Sequence, residues 1–241
     1  MNSSVENTSP TRTLPGIQRP IERLQRAVVV SGVLLLAVVV FGLFLSKSQA
    51  VTAFDLGVDR ALSQQHVVPV TDVAQAIYKL FSPAGAITIT VVAALIIWVA
   101  SRNWRSALTF GVVVGGSWVS SDIVKLLVNR PRPSAAALAH PYLPTPPDPS
   151  FPSGHIVFVA SISIGFAFLA RNSARLALVV ALGITVTVVA AAAVIYLGVH
   201  YSTDVIGSLV WAAGACTLVI ALWNRIILPR ISPRVRSRLP A

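Results

Sequence analysis

Apolar residues run in long unbroken stretches along this chain, parted by short polar connections. Residues 27–45, 84–100, 107–128, 176–197 and 205–223 are each long enough to cross a hydrocarbon core of about 30 Å. Residues 156–170 form a shorter stretch, whose start is expected to lie below the bilayer surface, at the floor of a cavity. The pattern predicts an all-α polytopic membrane protein with six transmembrane helices. Between the first two spans, Val73, Ile77, Leu80 and Phe81 fall at helical spacing behind Asp72, a capping residue, and predict a short helix lying at the interface. Residues 1–26 are polar and interrupted by Pro10, Pro15, Gly16 and Pro20, so they read as a disordered cytoplasmic tail. Residues 27–223 form the membrane domain and 224–241 a basic cytoplasmic tail. Ser48-Gln49-Ala50 resembles a signal-peptidase site, but the apolar run before it exceeds the roughly 7–15 residues of a signal-peptide core, which favours a retained anchor.

Composition agrees: 55% hydrophobic residues, 11% charged residues and a mean hydropathy of +0.76 exclude an ordinary soluble domain. The net charge of +11 does not indicate nucleic acid, because the cations sit in tails and short connections beside apolar runs. Thirteen arginines and two glutamates fall on the side of the termini, against six cations and six aspartates on the other. Positive-inside topology then puts the termini in the cytoplasm and the opposite end at the outer face of the plasma membrane. Trp98, Trp104 and Trp223 would form a belt near the cytoplasmic boundary. A single cysteine, Cys216, excludes an intramolecular disulfide and a cysteine-based metal cluster.

Three polar clusters stand at the outward ends of spans. In Lys125-Leu-Leu-Val-Asn-Arg130-Pro-Arg132-Pro133, three cations defy the charge rule. A snorkelling lysine beside a solvated turn is the plain reading; phosphate binding by guanidinium forks and an ammonium explains more. Asp122, one turn before Lys125, is expected to pair with it or to neighbour the site. In Phe151-Pro152-Ser153-Gly154-His155, Pro152 suits a first helical turn, Ser153 can cap it, and Gly154 lets an anion approach the free N–H groups. That run is also ordinary turn chemistry with a surface histidine. In His200-Tyr-Ser-Thr-Asp204, the carboxylate could cap the last span, or could hold one ring nitrogen of His200 while the other attacks phosphorus. His155 could then protonate the leaving oxygen. No acidic cluster on this face suits a divalent metal, so neither a metal nor another cofactor is expected.

Lys125-x6-Arg132-Pro133, Pro152-Ser153-Gly154-His155 and His200-x3-Asp204, in that order, resemble the motifs of the type 2 phosphatidic acid phosphatase superfamily of membrane lipid phosphatases. The resemblance implies a helical membrane fold and metal-independent phosphate ester hydrolysis through a phosphohistidine at His200, with His155 as general acid. It implies that Lys125, Arg132, Ser153 and Gly154 bind the phosphate oxygens. The family's third motif reads Ser-Arg-x5-His-x3-Asp, whereas Ala193 and Val194 hold the first two positions here. Arg130 is the nearby cation that could replace the missing guanidinium. The expected activity is hydrolysis of a lipid phosphate or polyprenyl pyrophosphate at the outer leaflet, with a membrane lipid as partner and no nucleic acid. The alternatives are an inactive or weakened relative that binds or moves a phospholipid, and a phosphoryl transferase.

Overall fold

The computed structural model describes residues 20–170 and 172–231. Most of the expected N-terminal tail, Arg171 and the end of the basic C-terminal tail lie outside the described residues. The chain there is helical: α1 (Pro20–Lys47), α2 (Gln49–Gln64), α3 (Val68–Leu80), α4 (Pro83–Ser101), α5 (Trp104–Val128), α6 (Gly154–Leu169), α7 (Ser173–Tyr196) and α8 (Ser202–Leu222). A π-helical turn over Trp223–Ile227 leads into α9 (Leu228–Ile231). α1 thus begins within the expected tail, at a proline whose missing N–H costs nothing in a first turn. The tail expected from residue 224 likewise begins as helix.

Five helices, α1, α4, α5, α7 and α8 with its extension, are long and apolar enough to cross a membrane, and α6 is a shorter apolar helix. α6 packs against α5, α7 and α8. Ile156, Val157, Phe158 and Val159 on its first two turns have no exposed surface, which is why this helix is apolar all round. Val157 joins a cluster with residues of α1, α5 and α8, while Ile156, Phe158 and Val159 join another with residues of α4, α5 and α7.

The connection from 48 to 82 holds two helices where one was expected. α2 turns Asp55, Asp59 and Ser63 inward, all buried and each four residues apart, while Phe54 is 71% exposed. Hydrophobic periodicity could not reveal it, since its polar face is the packed one. α3 starts at Val68, ahead of Asp72, and lies on α7. Trp98 and Trp104 are exposed as a belt requires, but Trp223 is buried and donates its indole N–H to Thr109 Oγ1 at 2.8 Å.

Two backbone devices end helices where the chemistry begins. Asn129, in left-handed conformation (φ 47°), stops α5 one residue before Arg130. Gly198 (φ 63°) breaks the chain after α7, two residues before His200; a Cβ there would lie 2.3 Å from Leu138 Cδ1.

Candidate active site

The C-terminal end of α5, the N-terminal ends of α6 and α8, and the α2–α3 pair meet at one end of the bundle. Ser150 joins the pieces: its N–H donates to Arg130 O (2.8 Å), its hydroxyl to Pro131 O (3.2 Å), and its carbonyl accepts from His200 Nδ1 (2.9 Å). A carbonyl only accepts, so Nδ1 carries the proton and the lone pair lies on Nε2. Nε2 is met at 3.1 Å by Arg132 Nη1, which also donates to Val199 O. Burial pushes the His200 pKa well below its ordinary value, and Arg132, Lys125 and His155 act in the same direction. The ring is therefore a neutral imidazole whose Nε2 lone pair faces Arg132.

Asp204 Oδ2 lies 3.7 Å from His200 Nδ1, beyond hydrogen-bond reach. The expected Asp204 contact to the ring is thus replaced by the Ser150 carbonyl, and the carboxylate stands next to the same ring nitrogen without bonding it. Oδ2 accepts from Tyr201 N at 3.0 Å, so the capping reading of Asp204 also holds. Oδ1 accepts from Arg130 Nη1 at 2.6 Å. Arg130 is 1% exposed; it also donates to Thr203 Oγ1 (2.8 Å) and to Asp55 Oδ2 (3.0 Å), and its guanidinium lies over the Tyr201 ring at 4.2 Å. The suggestion that Arg130 supplies a spare phosphate cation is corrected here: its Nη atoms are committed to two carboxylates, and it orients Asp204. Asp55 further accepts from Ser202 Oγ at 2.6 Å, tying α2 to the first turn of α8.

Lys125 and Arg132 come together as expected of a phosphate site. Their common partner is Asp148: Lys125 Nζ and Arg132 Nη2 (2.8 Å) both donate to its carboxylate. Burial alone would raise the Asp148 pKa, but the hydrogen bonds and charges of Lys125 and Arg132 bring it down to about 2. Asp122 is exposed and forms no ion pair with Lys125, but it neighbours the site closely enough for the two charges to act on each other, the second of the two expected outcomes. Ser153 takes the N-cap position of α6 without capping it; its buried hydroxyl has no partner, while its N–H donates to Ser208 Oγ at 2.8 Å. Pro152 accordingly precedes the helix. A Cβ on Gly154 would lie 3.9 Å from Lys125 Cε, which puts the open first-turn N–H groups of α6 beside the ammonium.

His155 faces His200 with ring centroids 6.3 Å apart. Its Nε2 donates to Tyr78 O at 3.1 Å, and the Tyr78 ring stacks on it at 4.2 Å. Nδ1 of His155 is then the atom left for proton transfer. Val194 does not stand as an open vacancy: it is 1% exposed within the apolar cluster of Ile156, Phe158 and Val199, and its carbonyl accepts from Val199 N and His200 N. Sequence reasoning missed Asp55, Tyr78, Asp148 and Ser150. The Asp55-x3-Asp59-x3-Ser63 spacing was the available signal for the first; Tyr78 and Ser150 act on the histidines through main-chain carbonyls, which no side-chain pattern announces.

The arrangement defines a helical membrane protein with two histidines and two cations gathered at one end. The family model of the PAP2 superfamily matches residues 106–227, half of the chain, and the chain belongs to that superfamily. Membership supports a lipid phosphate phosphatase in broad terms. Among solved structures the chain is similar to one described as the first transmembrane PAP2 type phosphatidylglycerolphosphate phosphatase from Bacillus subtilis. The TM-score is 0.63 at 20% identity, covering 88% of this chain and 98% of that one, a likeness of fold. No curated protein matches the sequence.

Proposed function

We propose that this chain hydrolyses a lipid phosphate or polyprenyl pyrophosphate at the outer leaflet of the plasma membrane, through a phosphohistidine and without a metal. The observation that carries the reading is the 6.3 Å separation of the His155 and His200 rings next to Lys125 and Arg132, a gap that suits one phosphorus atom. His200 Nε2 attacks phosphorus, the bond to the lipid oxygen breaks, and that oxygen takes a proton from Nδ1 of His155, which enters the step as an imidazolium favoured by the bound phosphate dianion and leaves it neutral, with Nε2–H still held by the Tyr78 carbonyl. Water then attacks the phosphohistidine, giving its proton back to His155, and inorganic phosphate leaves. Lys125, Arg132, the Ser153 hydroxyl and the α6 N–H groups, that of Gly154 first, neutralise the transferring oxygens. Asp204 stabilises the charge that builds on the His200 ring.

In this reading α6 is the sixth span, the termini are cytoplasmic, and residues 27–223 are the catalytic domain. Arg102, Arg105, Arg175 and Arg225, at the end of the bundle away from the histidines, support that orientation. The test is phosphate release by the purified protein, with EDTA present, from phosphatidic acid, phosphatidylglycerophosphate and undecaprenyl pyrophosphate. Release from at least one, abolished in His200→Ala, is expected. Binding of these lipids without release would instead favour the weakened, lipid-binding alternative.

A further inference from the structure

The cations assigned to the substrate phosphate are already occupied by an anion of the protein. The Asp148 carboxylate bridges Lys125 Nζ and Arg132 Nη2, and Arg132 Nη1 in turn covers His200 Nε2. His200 has no exposed surface in this arrangement. A phosphoryl group that binds Lys125 and Arg132 beside the nucleophile takes the place that the carboxylate holds on them.

We propose that Asp148 is a specificity-determining residue: an internal anion that phosphomonoesters and pyrophosphates displace from Lys125 and Arg132 and that membrane phosphodiesters do not. This rests on the proposed phosphatase reading. The argument is one of charge. A carboxylate carries one negative charge, and so does a phosphodiester headgroup, so exchanging one for the other gains no attraction and costs the diester its hydration. A monoester near neutral pH carries close to two charges on three equivalent oxygens, and two cations attract it more strongly than they attract Asp148. Discrimination matters because a bilayer presents phosphodiesters in great excess over any phosphomonoester.

The surroundings allow the carboxylate to leave without disordering the cations. Arg132 Nε is also held by Asp148 O (2.8 Å) and Lys125 Nζ by Pro149 O (3.0 Å), so main-chain acceptors keep both in position when the side chain rotates away. The Asp148 side chain is 48% exposed and borders a cleft of about 600 Å³ lined also by Asn129, Pro133 and Thr145, into which it can turn. With its carboxyl held at about 2, Asp148 stays an anion throughout the working range and does not release the site by protonation.

The experiment compares wild type with Asp148→Asn and Asp148→Ala in detergent micelles. Dioctanoyl phosphatidic acid is the substrate and dioctanoyl phosphatidylglycerol the competing phosphodiester. Calorimetric titration with inorganic phosphate and with diethyl phosphate gives an arm that needs no turnover. Expected are a KM lower in both variants and diester inhibition and diethyl phosphate binding at least roughly tenfold tighter than in wild type, the effect of freeing one charge-assisted pair. Unchanged diester binding in both variants, or weaker binding of both phosphates because the cations lose their order, overturns the proposal. If the wild type releases no phosphate, the phosphatase reading fails, while the titrations still decide whether Asp148 excludes the diester.

Discussion

Asp55 and Asp204, 149 residues apart in the chain, share one guanidinium: Arg130 reaches Asp55 Oδ2 at 3.0 Å and Asp204 Oδ1 at 2.6 Å, and all three groups are buried. Arg130→Ala would leave two buried carboxylates close together without the cation they share. The expected loss of stability is about 3–5 kcal/mol, as for other buried pairs broken from one side. Arg130→Lys keeps the charge but not the fork, so it should lie between the two in denaturation and in turnover. A stability unchanged by Arg130→Ala would show that the network is not holding α2 to α8.

The state of His200 sets an acid limit on activity. Burial and the neighbouring Arg132, Lys125 and His155 keep its pKa well below the ordinary histidine value of about 6.5, so the ring remains neutral as pH falls through the range in which an ordinary histidine charges. The limb of a kcat/KM profile that reports protonation of the nucleophile should therefore fall below pH 6.5.

Asp59 lies beside this network with both carboxylate oxygens buried and without a hydrogen-bond partner. Burial pushes its pKa from 3.8 up to about 8, and Asp55 and Asp204 act in the same direction. The folded protein thus holds a proton that the unfolded chain releases, and this group's contribution to stability declines as pH rises from about 4 to about 8. Asp59→Asn abolishes that decline. Its advantage over wild type in denaturation curves should grow across the same interval and reach on the order of 1–3 kcal/mol at pH 8.

Phe151, fully buried, is wedged between two glycines of different spans. A Cβ on Gly207 would lie 2.3 Å from one edge of its ring, and one on Gly42 would lie 2.5 Å from the other. Gly207→Ala should cost about 1–3 kcal/mol through overpacking and should lower turnover as well, because Phe151 leads directly into Ser153 and His155. Adding Phe151→Leu should recover part of the lost stability.

The spans were legible because a helix facing lipid or the centre of a bundle is apolar over most of its surface, and length then separates crossing from burial. Lys125, Arg132, His155, His200 and Asp204 were legible because cations and imidazoles at the ends of such spans have few structural reasons to be there. The motif singles out Arg132, but nothing in the sequence says what Arg130 binds: the two flank Pro131, yet one turns to Asp204 and the other to Asp148 and His200. Val194 holds the third-motif position six residues before His200, and α7 turns it into the apolar cluster. Asp148 lay in a proline-rich loop whose course no periodicity predicts.

The orientation of α2 and α3 bears on how the protein can be divided. The superfamily match begins at residue 106, so it contains every motif residue but neither Asp55, which balances Arg130, nor Tyr78, whose carbonyl accepts the hydrogen bond from His155 Nε2. A fragment that looks complete by its signatures would carry an arginine missing one of its two counterions and a His155 whose ring has lost the acceptor that orients it. The N-terminal helices are therefore part of the candidate site, and the unit that evolution can exchange between chains is longer than the stretch its motifs mark.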